Sequence, residues 1–178
     1  MTPKEFVAAY WHDAKEVEKT KHIAAEATLA QAAWESAWGK AAPGNMFFGE
    51  KDFDGINGNE QLLVTTEVSK RFNCTPQELG LTSIISVTAF VSNGQKYFKY
   101  VGKAYFKKFN TPTECFSHHA DFFYKNSRYK KALTVSMNAE EFVNEIATAG
   151  YATDPAYARN LISIIKTIRK VATELKLI

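Results

Sequence analysis

Apolar and polar positions along this chain follow two different periods. Leu161, Ile164, Ile165, Ile168 and Val171 recur at helical spacing, while Lys166, Arg169 and Lys170 fall elsewhere around the same helix. That stretch predicts a helix over 155–175. The run Leu62–Val68 reads as a strand, and Asn93-Gly94 is a strong two-residue hairpin signal between Val87–Val91 and Lys96–Val101. Helix starts are legible. Thr2-Pro3-Lys4-Glu5 is a capping box with proline at the first helical position, and Thr75-Pro76-Gln77-Glu78 and Thr111-Pro112-Thr113-Glu114 repeat it. Asn138-Ala139-Glu140-Glu141 and Asp154-Pro155 mark two more starts. These patterns predict helices near 3–17, 21–38, 76–80, 112–125, 139–149 and 155–175. Residues 43–72 hold Pro43, Gly44, Gly49, Gly55 and Gly58, which punctuate loops. The fold class is mainly α, an α+β domain with a small antiparallel element between its second helix and its C-terminal helices.

The segment Ala30-Gln31-Ala32-Ala33-Trp34-Glu35-Ser36-Ala37-Trp38-Gly39 stands out. It is an alanine-rich helix end with a single carboxylate and a glycine stop, suited to close packing and to a C-terminal cap. Between Lys21 and Ala37 only Lys21, Glu26 and Glu35 carry charge. A glutamate there, flanked by two tryptophans, has two readings. It is either an ordinary surface residue or a partly desolvated carboxyl at the wall of a cleft, the condition a general acid needs near neutral pH.

Composition narrows the function classes. A length of 178 residues suits one compact domain. A net charge of +3 fits an anionic polymer as substrate but is no nucleic-acid footprint. No apolar run is long enough to span a bilayer. The N-terminus, Met1 to Phe6, lacks the apolar core of a secretory signal. Two cysteines, Cys74 and Cys115, form no disulfide framework; they either pair or stay free. The four histidines are scattered, and the adjacent pair His118-His119 points in different directions on a helix, so neither a metal nor a cofactor is expected.

The blocks of the chain resemble the bacterial glucosaminidases of glycoside hydrolase family 73. Ala30–Gly39 is similar to the signature AQAALESGWG, Phe48-Gly49-Glu50-Lys51 to FGIK and Val64-Thr65-Thr66-Glu67 to TTTE. Lys103-Ala104-Tyr105-Phe106 resembles the strand that follows, and Asn126-Ser127-Arg128-Tyr129 resembles NPRY. Ala149–Arg159 resembles AGYATDPxYARK almost letter for letter. The blocks occur in the family's order over residues 22 to 168. The resemblance implies a lysozyme-like fold in one catalytic domain, 1–178. A helical lobe (1–42 and 110–178) and a small antiparallel β-lobe (43–109) would flank a groove for a glycan chain. It also implies cleavage of the N-acetylglucosaminyl-β-1,4-N-acetylmuramic acid bond of peptidoglycan.

Roles follow from that resemblance. Glu35 matches the catalytic acid. Glu67 matches a second acidic residue on the β-lobe, the partner that glycoside hydrolysis normally requires; its plain reading is an exposed strand glutamate. Tyr151 matches a tyrosine near the acid, orienting a water or binding the N-acetyl group; otherwise it is a buried aromatic at a helix–helix turn. Asp154 reads as a cap for the last helix. Trp38, Phe48, Tyr157 and Arg159 are the expected substrate-binding residues, with helix packing the alternative for Trp38 and helix anchoring for Tyr157 and Arg159. Glu50 stands where relatives carry an aliphatic residue, Met46 occupies the usual asparagine position, and Lys70–Gly102 is longer than the matching region of relatives.

The expected partner is the peptidoglycan glycan strand, with no nucleic acid and no membrane. An immunity or carrier protein joins it if the enzyme is a secreted toxin. The expected place of action is the periplasmic or extracellular wall, reached without a Sec signal by holin release, a phage particle or a dedicated secretion machine. Two other functions compete: a muramidase or lytic transglycosylase cutting the opposite bond, and a non-catalytic wall-binding module.

Overall fold

The computed structural model describes residues 1–178, which divide into two compact units: Met1–Gly49 with Phe109–Ile178, and Glu50–Lys108. The first is helical. Helix α1 (Pro3–Lys21) starts on the expected capping box: Thr2 Oγ1 accepts from the Glu5 amide at 3.2 Å, and Glu5 accepts from the Thr2 amide at 2.8 Å. Helix α2 (Ala25–Glu35) packs against α1 and two later helices, α5 (Ala139–Thr148) and α6 (Tyr157–Glu174). Ala25 and every residue from Ala27 to Ala33 are buried, so nearly all of its circumference faces protein. Alanine makes such close packing of backbones possible.

The sequence pattern ran the second helix from residue 21, but α2 begins at Ala25. His22 adopts a left-handed conformation (φ 53°) that ends α1. The link is held by contacts remote in sequence: Ser136 Oγ donates to the His22 carbonyl at 2.5 Å, and the Ala24 amide donates to the Ser136 carbonyl at 2.9 Å. The α2 start has no side-chain cap of its own; Glu18 of α1 accepts from the Ala25 amide at 2.8 Å.

Helices α3 (Pro112–Lys125), α4 (Lys130–Thr134), α5 and α6 complete this unit. Thr111 caps α3 by accepting from the Glu114 amide, and Asn138 caps α5 by accepting from two amides. Residues 43–49, expected with the β-lobe, belong to the helical unit. Met46 and Phe47 are buried, and the Phe47 ring packs on Phe6, Tyr10 and Phe116. Asn45 (φ 56°) donates to the carbonyls of Phe109 (3.0 Å) and Asn110 (3.2 Å), and the Phe109 amide donates to the Gly44 carbonyl at 2.9 Å. The chain therefore leaves and re-enters the helical unit at two stitched points.

Beyond Glu35 the backbone turns left-handed at three successive residues, Ala37 (φ 50°), Trp38 (59°) and Gly39 (74°). Buried Ser36 braces the turn. Its hydroxyl donates to the Ala32 carbonyl at 2.5 Å and accepts from the Gly39 amide at 2.8 Å. Ala37 stands where the signature quoted above has glycine, and an L-residue at positive φ costs roughly 1–2 kcal/mol. Ala37→Gly is therefore expected to stabilise the protein by about 1 kcal/mol, after the entropy glycine adds to the unfolded chain. Thermal unfolding reads it out as a raised Tm; a lowered Tm would contradict this account.

The second unit is a three-stranded antiparallel sheet in the order β1–β3–β2, with β1 Glu60–Ser69, β2 Ser83–Ser92 and β3 Gln95–Lys107. Asn93 and Gly94 both have positive φ, the requirement of the hairpin turn they signal. Both strands run beyond the expected bounds. The expected helix at 76–80 is a single 3₁₀ turn, Gln77–Leu79. On one face Cys74, Leu81, Tyr100, Ala104 and Phe106 are buried; Tyr100 Oη accepts from the Cys74 amide and donates to the Arg71 carbonyl. Leu62, Val64, Val68 and Phe90 are exposed. Cys74 and Cys115 are both buried thiols outside any disulfide.

Candidate active site

Glu35 is the last residue of α2. It reaches solvent at the surface, yet burial of its carboxyl among protein atoms raises its pKa above the ordinary carboxylate value. The C-terminal end of a helix offers it no backbone N–H to favour the ionised form. The result is a carboxyl that holds its proton to higher pH than a free glutamate does.

One helical turn earlier on the same face sits Gln31, 1% exposed. Its Nε2 donates to the hydroxyl of Tyr157 at 3.2 Å, and its Oε1 lies 3.4 Å from His119 Nε2. Tyr157 is buried, and its pKa is raised by burial, with the Glu35 charge adding to the same push. The His119 imidazole lies flat on Phe48, with ring centroids 3.7 Å apart and 12° between planes. Its pKa is pushed down to about 3 by burial and by the neighbouring His118, so the ring is neutral at physiological pH. Tyr151, half-buried between α5 and α6, stacks on Tyr157 (5.6 Å) and Phe123 (5.7 Å) and presents its ring to the edge of His119. Asp154 Oδ1 accepts from the Ala156 amide at 2.8 Å, an Asx turn leading into α6.

The helical unit thus brings Glu35, Tyr151, Tyr157 and Phe48 into one aromatic neighbourhood. Tyr157 is 2% exposed, so it offers no surface to a substrate; its contacts are with the Gln31 amide and the Tyr151 ring. Trp38 packs edge-on against Phe6 at 5.6 Å, the packing alternative raised for it. Arg159 is exposed in the first turn of α6. Within the sheet unit, Glu67 stands on β1 opposite Tyr100 of β3. Lys51 Nζ donates to Glu67 Oε1 at 2.6 Å and to the Leu79 carbonyl at 3.1 Å, fixing the carboxylate in place. Sequence reasoning passed over Gln31, His119 and Lys51. Gln31 lies four residues before Glu35 and was findable by helical spacing; His119 and Lys51 gain meaning only from contacts distant in sequence.

A family model described as mannosyl-glycoprotein endo-beta-N-acetylglucosaminidase matches residues 11–170. The chain belongs to this glucosaminidase family. Among its relatives, the peptidoglycan hydrolase FlgJ of Pseudomonas aeruginosa is 28% identical over 165 residues, 93% of this chain and 36% of the relative. The exo-glucosaminidase LytG of Bacillus subtilis is 29% identical over 153 residues, 82% and 44% of the two chains. The chain thus spans less than half the length of either relative. The solved glycoside hydrolase domain of Salmonella typhimurium FlgJ aligns with a TM-score of 0.69 at 25% identity, covering 99% of this chain and 94% of that domain. The lysozyme-like fold class read from the sequence is the fold observed.

Proposed function

We propose that this chain is a peptidoglycan hydrolase, an endo-β-N-acetylglucosaminidase that cuts the N-acetylglucosaminyl-β-1,4-N-acetylmuramic acid bond of the wall. The observation that carries the reading is Glu35. In a chain of the glucosaminidase family, the position matching the catalytic acid holds a carboxyl that burial keeps protonated to higher pH. Protonating the glycosidic oxygen is what such a carboxyl can do. Glu67, held by Lys51, is the second carboxylate in this proposal, acting as base or nucleophile. Tyr151, on the aromatic wall shared with Tyr157, orients a water or the N-acetyl group. Phe48 and Arg159 make the remaining contacts to the glycan. The enzyme acts on the periplasmic or extracellular wall, and used as a secreted toxin it would require an immunity protein in the producing cell.

Chemistry at the new ends tests the bond. Sacculi digested with the protein, reduced with borohydride and acid-hydrolysed should yield glucosaminitol. Muramitol, or anhydro-muramic products seen by mass spectrometry, would instead establish a muramidase or lytic transglycosylase. Intact sacculi would leave a wall-binding module.

A further inference from the structure

Three polar side chains are buried together where aromatic packing alone would have served: Gln31 at 1%, Tyr157 at 2% and His119 at 8% exposure. Burying polar groups is costly unless they satisfy one another, and here they do so in series. The Gln31 oxygen can only accept, so His119 Nε2 carries the hydrogen facing it, and Gln31 Nε2 then donates to Tyr157. The imidazole plane is set by Phe48 on one side at 3.7 Å and by Phe122, nearly parallel at 6.3 Å. With its oxygen accepting from Gln31, the Tyr157 hydroxyl has its own proton to donate. Gln31 and Glu35 share one face of α2, a turn apart.

We propose that His119 is a positioning residue for the hydrolytic reaction: it locks the Gln31 amide, which holds the Tyr157 hydroxyl on the helix face that ends in Glu35. This rests on Glu35 being the acid. Held there, Tyr157 lies within electrostatic reach of Glu35, and its neutral hydroxyl dipole favours the carboxylate that Glu35 becomes after giving up its proton to the glycosidic oxygen, an effect realised only after substrate is bound. Such an interaction belongs to kcat rather than KM. Sequence position does not reveal this arrangement, because the three residues lie on three helices, 88 and 126 positions apart along the chain.

The test is a double-mutant cycle on the purified full chain, measuring kcat and KM on a defined soluble glycan chain of peptidoglycan. His119→Phe keeps the ring stack and removes the donor. It should lower kcat about tenfold with KM within about twofold. His119→Gln returns an amide donor and should recover most of the loss. Tyr157→Phe should cost about as much as His119→Phe, and adding His119→Phe to Tyr157→Phe should cost less than about twofold more, because both act through one hydroxyl. Wild-type kcat in His119→Phe, a change confined to KM, no recovery in His119→Gln, or losses that multiply in the double variant would each overturn the relay. If His119→Phe does not fold, Gln31→Leu removes both bonds and carries the same cycle. Glu35→Gln is run alongside: if it turns over like wild type, the acid assignment falls and the relay with it. If it is inactive while the cycle fails, the relay alone falls.

Discussion

Glu35→Gln is expected to cut hydrolysis of purified sacculi at least about a hundredfold, the lower end of what a positioned general acid contributes. Glutamine keeps the shape of the side chain and its packing at the end of α2 but has no proton to transfer. Folding should survive the change. Glu35 reaches solvent, and its carboxyl is the desolvated, energetically disfavoured group of the helix rather than a stabilising one. Replacing it by a neutral amide removes that penalty. The variant should therefore keep or slightly raise its Tm while sacculus clearing collapses, and it should still bind sacculi. Near-wild-type clearing by a correctly folded Glu35→Gln protein would remove Glu35 from the chemistry.

A second large effect concerns acid stability. In the folded protein His119 takes up a proton only near pH 3, against an ordinary value of 6.5 in the unfolded chain. Between those values the unfolded chain binds more protons, so stability falls as pH falls. The neutral ring's contribution is complete above about 6.5 and is lost progressively below it. The shift corresponds to a loss on the order of a few kcal/mol across the window. Glu35, whose pKa is raised, works in the opposite sense and gains stability as it protonates. Glu5, Asp54, Glu60 and Glu78 have pKa values lowered by hydrogen bonding, and their contributions are lost only below the ordinary 4.5 and 3.8. Denaturant unfolding at pH 7, 6 and 5 should thus show a decline in the wild type that His119→Phe largely flattens. Parallel pH profiles in the two proteins would mean that His119 is not the group responsible.

Local chemistry explains which parts of the architecture were legible in advance. The capping residues Thr2, Thr111 and Asn138 act on amides two or three positions away, and Asn93-Gly94 supplies its own positive φ, so these features need nothing from the rest of the chain. The start of α2 was misplaced because its determinants, Glu18 and Ser136, lie 7 residues away in one direction and over a hundred in the other. Among the candidate residues, Glu35, Glu67 and Tyr151 were named through resemblance to a signature. Gln31, His119 and Lys51 carry no such mark. Their partners lie on other helices or strands, and a histidine beside a histidine on α3 gives no hint that one of the two is sealed against Phe48. Tyr157 was expected at the substrate; it is buried instead, with the Tyr151 ring stacked on it and the Gln31 amide on its hydroxyl.

The stitched pair of crossings at Gly44–Asn45 and Phe109–Asn110 makes Glu50–Lys108 an excursion from a helical body already closed across its own gap. Because the two ends are tied together, the length of what hangs between them weighs only logarithmically on the closure entropy of the helices. Apart from the stretches that carry Lys51 and Glu67, the excursion is therefore free to lengthen or shorten while the helices that carry Glu35 keep their register. A lineage can thus lengthen or trim the loops of this excursion, and an engineer can insert there, without disturbing the helical body.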